Sequence, residues 1–337
     1  MSDGQINIAI DAMGGESSPL KILKGSEIFL ATNTNVKLFF FGNQNLIEEI
    51  IFKNKLELFN YEIFNTIEDV QDNDSTSTIL RSRKDSSIYK GLEFVSKQKS
   101  SGFVSAGNTA ALMILSRLLI GTINGIDRPA ICSLIPTRKN YSLMLDLGAN
   151  VIVNASNLFQ FALMGYSYFA MIEKNTNPKI GIINIGTENN KGLEFLQEGA
   201  DLISNSFLSK NFVGFIEPNK ITSGECDILI SDGYSGNIIL KTAEGMSQYI
   251  TSNLKTVFNS SILNKLAYKI LEKDLRNFRD KINPDKYNGA TLIGLNGISI
   301  KSHGSASPYA FSCALDKCYN YIDSNLNQKI IDTFNNL

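Results

Sequence analysis

Ile6-Asn7-Ile8-Ala9-Ile10-Asp11-Ala12-Met13-Gly14-Gly15, followed by Ser18-Pro19, decides the reading of this chain. A short apolar run stops at an acid and two glycines. Ser18 and Pro19 then supply an N-cap and a first helical position, so a helix is expected to begin there. The same punctuation recurs along the chain. Residues 36–41 stop at Gly42-Asn43, and Phe103-Val104 leads into Ser105-Ala106-Gly107-Asn108-Thr109 and an apolar helix over 110–120. Residues 141–145 lead into Asp146-Leu147-Gly148-Ala149-Asn150, and 180–183 into Asn184-Ile185-Gly186-Thr187-Glu188. Residues 228–230 lead into Ser231-Asp232-Gly233-Tyr234-Ser235-Gly236-Asn237 and a long helix. Residues 298–300 lead into Lys301-Ser302-His303-Gly304-Ser305, after which Ser307-Pro308 opens the last major helix.

Strands alternating with helices predict an α/β chain with a three-layer, mostly parallel sheet. Near-continuous apolar strands fit a sheet covered on both faces. Ligands of such sheets bind beyond the strands' carboxyl ends. The polar, glycine-bearing turns there are therefore expected to line one crevice. Glycine permits close backbone approach, and each following helix aims free N–H groups and a positive dipole end at the ligand. Phosphate is the natural guest. The candidate binding residues are Asp11, Gly14, Gly15, Ser105, Gly107, Thr109, Asp146, Asn150, Asn184, Gly186, Gly233, Gly236, Asn237 and Gly304. Helix capping or turn bonding would equally explain Asp11, Asp146 and Asp232.

Composition narrows the classes. Of 337 residues, 43% are hydrophobic and 19% charged, which suits a packed globular chain. A single α/β unit over 1–337 is expected. Thirty-two Lys and Arg against 33 Asp and Glu give a net charge of −1, so a global field for nucleic acid is absent. Cys132, Cys226, Cys313 and Cys318 make no disulfide framework and no zinc spacing, so inert thiols are expected. Met1-Ser2-Asp3-Gly4 is polar, and no stretch approaches a membrane span, which predicts a cytoplasmic protein. No P-loop, GxGxxG, GxSxG or HExxH pattern occurs, and neither a cofactor nor a metal is expected. Residues 251–290 carry eight Lys and Arg against four Asp and Glu. Phe258, Ile262, Leu266 and Ile270 recur there at helical spacing, as do Leu271, Leu275 and Phe278. Such a basic amphipathic helix fits an anionic membrane surface, an acidic protein or a dimer contact.

Read in order, these turns resemble the phosphate acyltransferase (PlsX) family. Gly125-Ile126-Asp127-Arg128-Pro129-Ala130, Gln160-Phe161-Ala162-Leu163-Met164-Gly165, Lys191-Gly192, Leu240-Lys241-Thr242 with Glu244-Gly245, and Tyr287-Asn288-Gly289-Ala290 extend the likeness from about residue 6 to about 315. The resemblance implies acyl transfer from acyl-[acyl carrier protein] to inorganic phosphate, giving acyl phosphate for phospholipid synthesis. It implies a fold akin to isocitrate and isopropylmalate dehydrogenases and phosphotransacetylases, and a homodimer. It also implies a helical protrusion at about 251–285, of which the 251–282 segment would make peripheral contact with the inner face of the cell membrane. A downstream glycerol-3-phosphate acyltransferase is an expected further partner. Glu16, Ala110 and Ile152-Val153 depart from the family pattern, the last by lacking an acid.

Phosphate near neutrality is already a nucleophile, so direct attack on the thioester is expected, with positioning as the protein's contribution. Gly107, Asn108 and Thr109 are expected to hold phosphate or the oxyanion. His303 is assigned to polarising the carbonyl or protonating the thiolate, although a purely structural histidine fits the sequence too. Asp232 and Lys241 are assigned as orienting partners, and Lys191 as a contact for the carrier protein. A nicotinamide-dependent dehydrogenase on the same fold and a non-enzymatic carrier-protein scaffold are the rival readings.

Overall fold

The computed structural model describes residues 5–71, 74–98, 101–175 and 177–335; the polar residues 1–4 read above lie outside them. Eleven strands form one sheet: β1 (Ile6–Asp11), β2 (Val36–Gly42), β3 (Tyr61–Asn65), β4 (Ser101–Ser105), β5 (Ala130–Pro136), β6 (Tyr141–Leu145), β7 (Ile180–Ile183), β8 (Phe212–Ile216), β9 (Ile228–Ile230), β10 (Ala290–Ile293) and β11 (Ile298–Lys301). The helices are α1 (Leu20–Leu30), α2 (Gln44–Asn54), α3 (Thr76–Ser82), α4 (Ser87–Lys97), α5 (Thr109–Leu119), α6 (Ala155–Ile172), α7 (Glu194–Ser204), α8 (Gly233–Asn259), α9 (Ile262–Ile282), α10 (Pro308–Asp323) and α11 (Leu326–Asn335).

Why the strands are apolar throughout is visible in β1. Ile6, Ile8 and Ile10 point into one core with Ile22 and Leu23 of α1 and Phe311 of α10. Ala9 points into the other, with Leu92 of α4 and Leu112 and Leu115 of α5. Side chains alternate across a strand, so a sheet covered on both faces needs an apolar residue at nearly every position. The three-layer, mostly parallel architecture follows.

The strand order is β3-β2-β1-β4-β11-β10-β5-β6-β9-β7-β8. Strands β2, β3, β4 and β11 run with β1. Then β10 opposes β11, β5 opposes β10 and β6 opposes β5. Three reversals leave β6, and with it β9, β7 and β8, running against β1. The turns therefore do not line one crevice. Those after β1, β4 and β11 lie on one edge of the sheet. Those after β6, β7 and β9 lie on the other.

Two local expectations also change. Helix α1 starts at Leu20 with Pro19 in the cap position and no side-chain cap. Ser18 instead donates its hydroxyl to the Gly14 carbonyl at 2.5 Å, so it is spent on the turn. The amphipathic segment is two helices rather than one. Ser261, extended at φ −151°, caps α9 by accepting from the Asn264 N–H. Phe258 and Ile262 thus belong to different helices, and Phe258 meets Tyr268 of α9 edge-on at 5.5 Å. Arg279, Asp280 and Lys281, part of the basic count, have side chains outside the described set. Among the described residues no helix is long and apolar enough to cross a membrane.

Candidate active site

On the first edge, three turns are welded together from below. Asp11 is fully buried and accepts from the hydroxyls of Ser87 and Ser105, both at 2.6 Å, and from the Met13 N–H at 3.1 Å. Burial raises its carboxyl above the usual carboxylate value, against those donors. The Ser105–Asp11 bond joins the second turn to the first, and within the second turn the Gly107 N–H donates to Ser105 Oγ at 2.9 Å. The third turn joins through two backbone bonds. Ser302 N–H donates to the Ser105 carbonyl at 2.8 Å, and Glu16 N–H donates to the Gly304 carbonyl at 2.9 Å. Gly14 lies so close to Asp11 and Gly107 that nothing larger than hydrogen fits.

Above this base, Asn108 caps α5 by accepting from the Ala111 N–H at 2.9 Å. Gly107 and Asn108 are half-buried and Thr109 is exposed, so the positive end of α5 faces outward beside the third turn. His303 is exposed in that turn. Its Nδ1 lies 2.9 Å from Ser305 Oγ and 3.3 Å from the Ser305 backbone nitrogen. A backbone N–H only donates, so Nδ1 is the acceptor and Nε2 carries the proton. Lost hydration at the ring, then the cations Lys241 and Lys301, push its pKa below the ordinary histidine value, against Glu244 and Glu16. At neutral pH this histidine is an uncharged donor.

Helix α8 explains how Lys241 gets there. The helix begins on the opposite edge and packs Ile239 and Leu240 onto the face that also carries α5. Roughly 13 Å of helix separates Asp232 from Lys241. Lys241 pairs with Glu244 at 2.8 Å and reaches the field of His303 and Lys301. Asp232 does not. Its carboxylate accepts from the Ser235 N–H at 2.8 Å and caps α8 at the far edge.

The second edge is a self-contained nest. Asp146, fully buried, accepts from the N–H groups of Ile131, Gly148, Ala149 and Asn150 and from the Asn150 amide, at 2.6–3.2 Å. Burial raises its carboxyl too, opposed by these donors. Asn150 also donates to the Pro129 carbonyl at 2.8 Å. Gly233 and Gly236 pack against Asn150 and Asp146, and Asn237 lies beside Gly148. Asn184 is buried, with its amide on the Lys191 carbonyl at 2.9 Å and its oxygen on the Ile185 N–H at 2.8 Å. Gly186 sits against Lys191 and Glu188, which pair at 2.6 Å on the surface. A buried polar group must spend its bonds internally, and Asp11, Asp146, Asn150 and Asn184 do so in shaping these loops.

Two lysines of the first edge escaped the sequence reading. Lys21 is 7% exposed and donates to the Gly304 carbonyl at 2.5 Å. Lys301 donates to the carbonyls of Ser302 and, at 3.4 Å, Ala106. Burial first, then Lys21 and Lys241, lower its pKa to about 8, although Asp11 opposes them. The only signal was position. Lys301 stands two residues before His303, and Lys21 lies in the first turn after Pro19. The cysteines are free, and burial pushes the Cys132 and Cys226 thiols up to about 12. Neither serves as a nucleophile at that value.

Comparison with known proteins identifies the family. Residues 6–329 match the model of a family described as fatty acid synthesis protein. A phosphate acyltransferase of Wolbachia pipientis subsp. Culex pipiens is 41% identical over 335 residues, covering 98% of this chain and 97% of that protein. One of Clostridium tetani is 39% identical over 337 residues, covering 98% and 99%. In fold, the chain is similar to a phosphotransacetylase of Streptococcus pyogenes, with a TM-score of 0.64 at 15% identity over 95% of each chain. A match of this length places the chain in the fatty acid synthesis protein family, beside the bacterial phosphate acyltransferases.

Proposed function

We propose that this protein transfers a fatty acyl group from acyl-[acyl carrier protein] to inorganic phosphate, releasing acyl phosphate for phospholipid synthesis. The observation that carries the mechanism is the meeting, on one edge, of the α5 N-terminus, the cations Lys241 and Lys301, and an uncharged His303. Phosphate lies against the α5 N-terminus and the Asn108 amide, with Lys301 balancing its charge. Its oxygen attacks the thioester carbon. The carbonyl oxygen gains negative charge, which the His303 Nε2–H stabilises. Collapse of the tetrahedral species re-forms the carbonyl and breaks the C–S bond. The electron pair leaves as the carrier protein's thiolate, a good leaving group that needs little protonation at neutral pH. No acyl-enzyme forms.

Thiol release from a long-chain acyl-[acyl carrier protein], with and without phosphate and with hydroxylamine as trap, tests this reading. Phosphate-dependent release with hydroxamate formation is expected. Release without phosphate, or an acylated Ser or Cys after quenching, overturns it.

The Lys301 charge gives a pH signature. A lysine with a pKa of about 8 is charged below that pH and loses its proton above it. The KM for phosphate is expected to rise as pH climbs through about 8. In Lys301→Met the KM is already high, roughly tenfold above wild type, and that limb is gone. Initial rates over pH 6.5–9.5 check both.

The carrier protein is acidic, and Lys191 is proposed as one of its contacts. Its pair with Glu188 lies at the surface, where solvent screens it, and does not withhold it. Lys191→Glu is expected to raise the KM for the carrier substrate about threefold to tenfold at low salt, to flatten its salt dependence and to spare kcat. Exposed Ile262, Leu263, Leu266 and Ile270 on α9 support peripheral membrane contact and a homodimer, with the chain working at the cytoplasmic face.

A further inference from the structure

The motif Tyr287-Asn288-Gly289-Ala290 lies where the α8–α9 hairpin rejoins the sheet, and the proposed chemistry gives it no task. Its asparagine is fully engaged. Asn288 Oδ1 accepts from the His303 backbone N–H at 3.0 Å. Asn288 Nδ2 donates to Ser302 Oγ at 2.8 Å and to the Ala310 carbonyl at 2.7 Å. The side chain therefore brackets the turn between β11 and α10, with one bond on the residue itself, one on its predecessor and one on the helix beyond.

The bracket is anchored in its turn. Lys317 Nζ, deep in α10, donates to the Tyr287 carbonyl at 2.6 Å and to the Gly289 carbonyl at 3.2 Å, one on each side of Asn288. Ser307, the cap of α10, donates its hydroxyl to Asp285 Oδ2 at 2.8 Å. Residues 285–289 and 302–310 thus form one hydrogen-bonded unit. Only a carboxamide offers one acceptor and two donors in this spread; aspartate has no N–H to give, and alanine has neither.

We propose that Asn288 is the positioning residue of His303: it fixes the turn that aims Nε2–H and ties that turn to the root of the α8–α9 hairpin. The inference deepens the proposed function and rests on the reading of His303 as the carbonyl-polarising group.

His303 is the chain's single histidine, so its imidazole gives one unambiguous NMR signal in the full-length protein. The charged groups facing it are Lys241 and Glu244 of α8, Lys301 of β11 and Glu16 of the first turn. Asn288→Ala leaves all four in place and frees the turn. The His303 ring then gains water, and its titration midpoint is expected to rise toward the ordinary value. The kcat is expected to fall about tenfold with the KM for phosphate changed less than about twofold, because aim is lost rather than binding. An unchanged His303 signal and midpoint in Asn288→Ala would overturn the proposal. If that variant does not fold, Asn288→Ser carries the same expectation, since a hydroxyl cannot span the three partners. A midpoint that moves while kcat stays supports the bracket and overturns the catalytic reading of His303 instead.

Discussion

Replacing His303 by alanine is expected to lower kcat for phosphate-dependent thioester cleavage by about 10²-fold or more. The KM for either substrate should change much less. The asymmetry follows from when the bond strengthens. A neutral carbonyl oxygen attracts Nε2–H weakly, whereas the oxyanion of the tetrahedral species attracts it strongly. The pH profile should separate this role from the ionisation of phosphate. His303 is held below the ordinary histidine pKa, so the Nδ1 lone pair accepts from Ser305 at neutral pH. As pH falls through the lowered pKa, Nδ1 gains a proton, the bond from the Ser305 N–H is lost and the turn loses its geometry. Wild type should therefore show an acid limb from His303 in addition to the one from phosphate. His303→Ala should retain the phosphate limb alone. Retention of nearly full turnover in the variant would remove His303 from the mechanism.

Gly14→Ala is expected to be the most damaging single methyl on the first edge. The added Cβ would lie 2.3 Å from Asp11 Oδ2 and 2.6 Å from the Gly107 nitrogen. Neither neighbour has room to yield. Asp11 is held by Ser87, Ser105 and Met13, and the Gly107 N–H by Ser105. A shift of either also moves the α5 N-terminus. The cost should reach about 2–4 kcal/mol of unfolding free energy, with phosphate-dependent turnover largely lost. Gly245→Ala is the matched control. An added Cβ there meets nothing within 4 Å, on an α8 position with ordinary helical backbone. It should be neutral or stabilising by up to about 1 kcal/mol. Urea denaturation of the two variants gives the comparison, and equal stabilities would mean that the first turn is looser than its hydrogen bonds indicate.

Much of the first edge was legible from residue order. Gly14, Gly107, Asn108, His303 and Gly304 were singled out because glycine and small polar residues at strand ends have few other uses. The α10 cap at Ser307 was equally visible, since capping is a local bond between residues three apart. Lys301 and Lys21 were not. A lysine reads as a solvated surface residue unless something buries it, and burial is supplied here by segments some 280 positions away in the chain. Asn288 was quoted as part of a motif without a task for the same reason. Its partners are at 302, 303 and 310.

The sequence by itself determined the α/β class, the strand-and-turn punctuation and the family, because each rests on local periodicity or collinear motifs. Which turns meet was decided only by the tertiary structure. Three antiparallel pairings among β11, β10, β5 and β6 reverse half of the sheet and divide the polar turns between its edges. Strand direction is a property of pairing between distant segments, and the side-chain pattern along one strand is the same whichever way its neighbour runs. Hence Asp146 and Asp232, equal to Asp11 in their local setting, shape a separate loop nest at the far edge. Lys241 returns to His303 only because α8 runs back along the face for three turns beyond its cap.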